Sequence, residues 1–308
     1  MYAPGIGYDS CGFDPLGWTG GLRTMTSVPT IGVFDSGFGG LTVLRALVAR
    51  LPQAHFAFIG DTARLPYGSK SRRTIARYAV ESAQFLVREQ GAEFLVIACN
   101  TASALALDAI QAAVPVPVLG VIEPGASNAR AFSRTGDVLV IATDATVHSH
   151  AYAAACSALG LHALEKACPL LVPLVEEGWT NHPVTDQVIG IYLDELLGAA
   201  KAEGMDPDTL VLGCTHYPLL RPLIERAVPA GIKVIDSAES AADAAVLLIH
   251  DKAETVSDCT ALSGGASRVS PTAQVRCFAT DSVDKFERLG SRFLGRPVGN
   301  VELVDLGG

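Results

Sequence analysis

Two stretches of this chain follow nearly the same pattern, and this repetition constrains the fold more than any other feature. FLVIACNTASALAL, around Cys99, and TLVLGCTHYPLLRPLI, around Cys214, each place a cysteine and a hydroxyl residue between an apolar run and a helical one. An internal duplication predicts two similar structural units that carry the cysteines at equivalent positions. The chain therefore has a matched pair of thiols, and such a pair is suited to act on opposite faces of one carbon atom.

Short β-branched runs alternate with helical stretches from Thr30 onward. The first series contains TIGVFD, HFAFIGD, EFLVIAC and PVLGVI, and the second contains DVLVIATD, TLVLGC and IKVIDS. This alternation predicts parallel strands joined by crossover helices. We therefore predict an α/β fold with two similar lobes, each a mainly parallel sheet flanked by helices, related by pseudo-symmetry. Because ligands bind at the carboxyl ends of parallel strands, the active site is expected in the cleft between the lobes.

The same patterns set the expected domain boundaries. Residues 1–29 are rich in Gly, Pro and small polar residues without a helical or strand period, which predicts a flexible leader. VRCFATD followed by VDKFERLGSRFLG predicts one more strand and helix that return to the first lobe. The expected domains are thus residues 30–122 plus 236–308, a discontinuous α/β domain, and residues 123–235, the second α/β domain.

Composition excludes several classes of partner. The net charge is -9 and lysine clusters are scarce, which argues against nucleic acid, since binding it requires a basic surface. No run approaches the roughly 20 apolar residues that span a bilayer, so no membrane partner is expected. The seven cysteines include no closely spaced pairs of the kind that bind metals. They are expected to be free thiols in the cytoplasm. His148 and His150 resemble a ligand pair without a third ligand, and no metal is predicted.

Cys99 and Cys214 are the strongest catalytic candidates. Each is expected at a strand-to-helix junction, where backbone N–H groups and the helix dipole favour a thiolate. Asp35 ends an apolar strand and enters a glycine-rich turn, VFDSGFGGL, in which Ser36 adds a hydroxyl donor. Asp35 could cap the following helix and still orient a neighbouring thiol. The turn also suggests nucleotide phosphate binding, but neither glycine-rich nucleotide pattern is present.

Other candidates lie near the expected strand ends. Tyr67 and Gly68, after Pro66, offer a phenol and an open backbone N–H that suit a carboxylate. His216 follows Cys214 by two residues and can protonate or polarise a substrate near neutral pH. Two threonines occupy the counterpart of the Asp35 turn in the second series and could donate to an anion at a helix start: Thr143 and Thr146.

Taken in order, the motifs VFDSGFGGL, GDTARLPYG, CNTAS, ACPLLVPLVEEG and GCTHYP resemble the glutamate racemases of the aspartate/glutamate racemase superfamily, over about residues 30 to 305. The resemblance implies a cofactor-independent isomerase with Cys99 and Cys214 as its acid/base pair. It also implies auxiliary roles for Asp35, His216 and Glu176, the last of which is only a surface helix charge from sequence alone. The implied substrate-binding residues are Asp35, Ser36, Tyr67, Gly68, Asn100, Thr101, Thr143, Thr146, Thr215 and His216.

The resemblance further implies that Cys99 deprotonates D-glutamate, that Cys214 deprotonates L-glutamate, and that the product supplies peptidoglycan synthesis. No cofactor is expected, because the sequence shows neither a Schiff-base lysine nor a phosphate cradle for pyridoxal phosphate. The expected partner is the small-molecule substrate glutamate, with a homodimer as an open possibility. Two alternatives remain: a racemase for aspartate or a related amino acid, and a catalytically silent regulatory binding protein on the same fold.

Overall fold

The computed structural model describes residues 28–257 and 273–307, and these form two parallel sheets flanked by helices. The predicted fold class is confirmed. Nearly all of the expected leader, residues 1–27, lies outside the described residues. The strands within the described ranges are β1 (Thr30–Asp35), β2 (His55–Gly60), β3 (Phe94–Ile97), β4 (Val118–Gly120), β5 (Asp137–Ala142), β6 (His162–Ala167), β7 (Thr209–Gly213), β8 (Lys233–Asp236), β9 (Gln274–Ala279) and β10 (Val301–Leu303).

The strands are connected mainly by α-helices, as the alternating sequence pattern predicts. The helices of the described ranges are α1 (Leu41–Arg50), α2 (Arg72–Arg88), α3 (Asn100–Leu105), α4 (Leu107–Ala113), α5 (Ile122–Phe132), α6 (Asp144–Ser149), α7 (Ala151–Ala158), α8 (Leu171–Glu176), α9 (Pro183–Ala202), α10 (Arg221–Ala227), α11 (Ser237–Ser257) and α12 (Val283–Leu294). Short 3₁₀ helices cover Thr62–Arg64, Tyr67–Ser69 and Tyr217–Leu220.

The strand order shows the internal duplication directly. The first sheet contains the order β2-β1-β3-β4, and the second sheet has the same order, β6-β5-β7-β8. All these neighbours are parallel. β9 pairs with β2 and β10 pairs with β9, so the chain returns to the first sheet after the second is complete. The carboxyl ends of β1 and β3 in the first lobe therefore correspond to those of β5 and β7 in the second.

The strands form because their apolar residues can be buried on both faces of the sheet. β3 and β7 are buried along their whole length, as expected for central strands of a parallel sheet. One apolar cluster includes residues of both lobes, among them Ile31 and Phe56 of the first and Leu139 and Leu210 of the second. This shared core fixes the positions of the strand ends of one lobe relative to those of the other.

The helix predicted near residues 149–159 is confirmed as α7. A short helix that the sequence pattern did not predict, α6, precedes it, and the two are divided at His150. His150 has a φ of 53°, a left-handed conformation that few residues other than glycine adopt and that interrupts an α-helix. The break places Thr146 and Tyr152 on two separate helices, and both side chains are buried.

Direct contacts join the lobes beside the cleft. The Thr42 hydroxyl of α1 donates to the carbonyl oxygen of Thr215 at 3.2 Å. α11, which follows the second sheet, packs against α1 of the first lobe and against α5. None of the helices in the described ranges combines the length and apolar character that crossing a lipid bilayer requires.

Candidate functional site

A cavity of about 560 Å³ lies between the lobes at the carboxyl ends of the strands. Its walls include both Cys99, just after β3, and Cys214, just after β7. Every residue predicted for the site lines this cavity except Asp35 and Thr146, which are buried behind it. The lining members of the predicted set are Ser36, Tyr67, Gly68, Cys99, Asn100, Thr101, Thr143, Glu176, Cys214, Thr215 and His216.

Cys99 is the N-cap residue of α3, and it is buried next to hydrogen-bonding groups. Its Sγ donates to Ser36 Oγ at 3.4 Å and accepts from the backbone N–H of Ala102 at 3.5 Å. Burial and the nearby Asp35 carboxylate raise the pKa of the Cys99 thiol to about 12, against the lowering effect of those hydrogen bonds. The backbone N–H groups at this junction do lower the pKa of the thiol, but burial and Asp35 outweigh them. Cys99 is a protonated thiol at neutral pH.

Cys214 has a different environment. The sequence places it at the start of a helix, but a 3₁₀ helix begins only at Tyr217, and α10 begins at Arg221. The polar group that approaches its sulfur is His216, with Nδ1 at 4.0 Å from Sγ. His216 Nε2 lies 3.4 Å from Glu176 Oε1, and Glu176 Oε2 lies 3.4 Å from Lys285 Nζ. A chain of alternating charges thus reaches from Lys285 through Glu176 to His216, beside the sulfur of Cys214.

His216 is cationic at neutral pH in this arrangement. Burial by itself lowers the pKa of its imidazole, but the interactions of the ring with Cys214 and Glu176 outweigh burial and raise that pKa to about 10. Burial works against ionisation of Glu176 as well, yet His216 and Lys285 hold the pKa of Glu176 below its usual value. The imidazolium stabilises negative charge on the sulfur beside it. Glu176 is at the end of α8, which explains how a residue that resembles a surface charge in sequence reaches the site.

Asp35 is almost completely buried at the end of β1. Its Oδ2 accepts from the backbone N–H of Gly37 at 2.9 Å, while Oδ1 has no hydrogen-bond partner among the described residues. Burial raises the pKa of this carboxyl, and the charge of His216 partly opposes the increase. No side chain caps α1, whose N-terminal neighbour is Gly40, so the capping interpretation of Asp35 is wrong. Asp35 lies behind the cavity wall and acts electrostatically on Cys99.

Three threonine hydroxyls form a cluster across the two lobes. Thr101 Oγ1 lies 3.0 Å from Thr143 Oγ1 and 3.2 Å from Thr146 Oγ1, and the latter two are 2.9 Å apart. Thr101 belongs to α3 of the first lobe, whereas Thr143 and Thr146 lie at the start of α6. Thr146 is completely buried and contacts the cavity only through the other two. Hydroxyl groups can exchange these mutual bonds for bonds to an anion, since each is both donor and acceptor.

The Tyr67 side chain is used differently from the sequence expectation. Its hydroxyl donates to Asp61 Oδ2 at 2.6 Å, so the phenol proton is not available for a carboxylate. Asp61 is fully buried and also accepts from Arg64 and from Thr280. This cluster holds the segment that carries Tyr67 and Gly68 at the cavity. Asp61 belongs to the GDTARLPYG motif, but sequence reasoning did not identify its structural role.

Sequence reasoning also missed one wall of the cavity. α8 and the residues beside it contribute Pro169, Val172, Pro173 and Glu177. The ACPLLVPLVEEG motif was the available signal, but only its first glutamate was singled out. The remaining lining residues, from both lobes, are Gly37, Leu65, Pro66, Ser69 and Asp144.

The two histidines with ligand-like spacing do not converge. His148 Nδ1 contacts Asp144 of its own helix at 3.3 Å, and His150 Nδ1 contacts Glu165 at 3.1 Å. Within residues 28–257 and 273–307, no cluster of three or more His, Cys, Asp or Glu side chains could hold a metal ion.

Chemically, the cavity combines two sulfur atoms from equivalent strand ends with hydroxyl and backbone donors. One sulfur is held as a neutral thiol, and the other faces an imidazolium ion. A small anionic molecule between them would meet a proton donor on one lobe and a candidate base on the other.

Comparisons with known proteins point to one family. The Asp/Glu/Hydantoin racemase family model matches residues 31–245. A glutamate racemase from Koribacter versatilis (strain Ellin345) is 56% identical over 290 residues, which cover 91% of this chain and 98% of the relative.

Solved structures give the same result. A glutamate racemase isoform from Bacillus anthracis is 36% identical, with a TM-score of 0.78 and coverage of 90% of this chain and 98% of its own. The glutamate racemase from Francisella tularensis subsp. tularensis SCHU S4, solved in complex with D-glutamate, is 34% identical with a TM-score of 0.76 and the same coverages.

Proposed function

Since the chain belongs to the Asp/Glu/Hydantoin racemase family, as an isomerase of the glutamate racemase group, we propose that it interconverts L- and D-glutamate by two-base proton transfer between Cys99 and Cys214. One observation carries this proposal: the two cysteines follow equivalent strands of a duplicated fold and line a single cavity. A reaction that removes a proton from one face of Cα and returns one to the other needs this arrangement.

In the direction from L- to D-glutamate, the Cys214 thiolate takes the α-proton and the Cys99 thiol gives its proton to the opposite face. The imidazolium of His216 stabilises the thiolate before the transfer. Burial and Asp35 keep Cys99 protonated, as a proton donor must be. In the reverse direction Cys99 is the base, and its negative charge is stabilised by Ser36 and by the backbone N–H of Ala102.

The substrate carboxylates are held by groups that line the cavity. The hydroxyls of Ser36, Thr101, Thr143 and Thr215 are the donors, together with the amide of Asn100. The segment at Tyr67 and Gly68 contributes backbone N–H groups, since the phenol is bonded to Asp61. Asp35 and Thr146 act through neighbours, Asp35 by its charge and Thr146 through the threonine cluster. Glu176 positions and charges His216.

The proposal includes the biological setting and the domain organisation. D-glutamate made here would supply peptidoglycan synthesis in the cytoplasm, where the buried free thiols of the described residues would remain reduced. Residues 30–122 and 236–308 form one proposed domain, and residues 123–235 form the other. The reason for this division is that β9 and β10, near the end of the chain, belong to the same sheet as β1 to β4. A homodimer is the proposed assembly.

The first experiment follows the circular dichroism of L-glutamate and of D-glutamate separately, with purified, reduced, pyridoxal-free protein. Both signals should decay toward zero as the racemic mixture forms. Cys99→Ser and Cys214→Ser should each lower net turnover by at least about a hundredfold, because each removes one acid/base group. Cys277→Ser is the matched control, since Cys277 is equally buried but belongs to β9.

Three results would redirect the proposal. Conversion of aspartate with unchanged glutamate would replace the substrate. Turnover that survives either cysteine substitution would remove the two-thiol mechanism. A folded protein that binds glutamate and leaves both enantiomers unchanged would be a regulatory binding protein.

A further inference from the structure

Asn100 directly follows Cys99, borders the cavity, and has both ends of its amide engaged by buried residues. Its Oδ1 accepts a hydrogen bond from the Tyr152 hydroxyl at 2.7 Å, and its Nδ2 donates to Ser237 Oγ at 3.4 Å. All three side chains are nearly inaccessible to solvent. The primary amide carries two N–H bonds, so one remains for a ligand in the cavity.

Tyr152 belongs to α7, in the opposite lobe from Asn100. Burial is the main cause that raises the pKa of its phenol well above the ordinary value, so the hydroxyl keeps its proton throughout the physiological range. A buried hydrogen bond of this kind restrains the side chains at both ends, because breaking it would leave a buried polar group without a partner. The Asn100 amide is thereby held in one orientation, with its oxygen toward the phenol.

The ring of Tyr152 also contacts the other cysteine turn. A Cβ atom on Gly213, the residue before Cys214, would lie 2.9 Å from Cε2 of the ring, and one on Gly125 would lie 3.2 Å from Cε1. The ring therefore fits between two glycines at contact distance. Through its hydroxyl Tyr152 reaches the residue after Cys99, and through its ring it reaches the residue before Cys214.

We propose that Tyr152 is a positioning residue for racemisation: it orients the Asn100 amide for a substrate carboxylate and ties the Cys99 turn to the Cys214 turn. An amide turned the other way would present oxygen to the carboxylate and weaken binding. Tyr152 does not line the cavity. The inference rests on the proposed function and adds a residue from outside the cavity wall.

The test is Tyr152→Phe, which removes the hydroxyl and keeps the ring between the glycines. We expect KM for both enantiomers to rise about tenfold, with kcat changed less than about threefold, because substrate binding depends on the amide orientation. In an Asn100→Ala background, adding Tyr152→Phe should change kcat/KM by less than about twofold. This loss of effect is the signature of action through Asn100.

Two further variants separate positioning from general stability. Thr209→Val removes another fully buried hydroxyl, bonded to Asp208 at the opposite end of β7 from Cys214, and should leave KM unchanged at a comparable loss of thermal stability. Ser237→Ala removes the second anchor of the Asn100 amide and should raise KM as well. It supplies the answer if Tyr152→Phe does not fold.

The outcomes distinguish this inference from the proposed function. A folded wild-type protein that racemises neither glutamate enantiomer overturns the function. An active wild-type protein with unchanged KM in Tyr152→Phe overturns the positioning role alone. The positioning role is also wrong if Tyr152→Phe lowers kcat/KM as much in the Asn100→Ala background as it does in the wild-type protein.

Discussion

The residues around the two sulfur atoms differ, although the turns that carry them are equivalent by strand order. Cys99 donates to the uncharged hydroxyl of Ser36, and burial together with the nearby Asp35 carboxylate keeps it a thiol. Cys214 faces His216, whose charge depends on Glu176. In the proposed mechanism this difference matters for direction: the form of the enzyme that accepts L-glutamate needs a charged Cys214–His216 pair, whereas the form that accepts D-glutamate needs Cys99 ionised.

Glu176→Gln tests this dependence through pH. Glu176 stabilises the imidazolium, so removing its charge lowers the pKa of His216 from about 10 toward its ordinary value. As pH rises, His216 then loses its proton earlier. The alkaline decline in kcat/KM for L-glutamate should move to lower pH by roughly one unit. The measurement is the initial rate across the range from neutral pH to above pH 10, in both directions.

Glu177→Gln is the control for that experiment. Glu177 is the next residue, lines the same cavity and carries the same charge, but the ion pair with His216 belongs to Glu176. In Glu177→Gln the alkaline decline in kcat/KM for L-glutamate should stay at the same pH as in the wild-type protein. If both variants shift the pH of this decline equally, the effect comes from the net charge of the cavity, and the specific role of Glu176 is wrong.

At the scale of elements, the turn between β1 and α1 is where one lobe meets the other. A Cβ atom on Gly39 would lie 2.3 Å from Thr215 Oγ1 and 2.6 Å from His216 Nδ1. Gly39→Ala must therefore displace the Cys214 turn. We expect kcat/KM to fall at least about tenfold, with a loss of stability of about 1–3 kcal/mol from overpacking. Steady-state kinetics and thermal unfolding measure the two effects.

Gly198→Ala gives the matched comparison in α9. A Cβ atom there meets no described atom within 4 Å, so the substitution should stabilise the helix by about 1 kcal/mol and leave the kinetics unchanged. Full activity in Gly39→Ala would show that the close contact between the lobes is not required for turnover.

The elements also show what a sequence can and cannot predict here. The repeated pattern around Cys99 and Cys214 predicts the two sheets, because burial on both faces and the crossover rule act on local sequence. The partners of those residues depend on contacts distant in the chain. Asp61 with Thr280 and Asn100 with Tyr152 are examples, and no local pattern marks either pair. Glu176 was identified only through resemblance, since its partner His216 lies 40 positions away.

For the whole molecule, the cavity walls predict that glutamate stabilises both lobes together. The Cys99→Ser/Cys214→Ser double variant should bind without turnover, so binding can be measured separately for each enantiomer. At a ligand concentration of 100 Kd, the free energy of unfolding should rise by about 2.7 kcal/mol. For a chain of 308 residues, this corresponds to an increase of about 4 °C in Tm.

Because residues of both lobes line the cavity, one cooperative transition should shift as a unit with either L- or D-glutamate. L-glutamine, which lacks the second carboxylate, is the control and should shift Tm less at the same concentration. Scanning calorimetry can resolve whether one or two transitions occur. A transition that splits, with only one part responding to glutamate, would place the ligand in a single lobe and contradict a site built from equivalent strand ends of both.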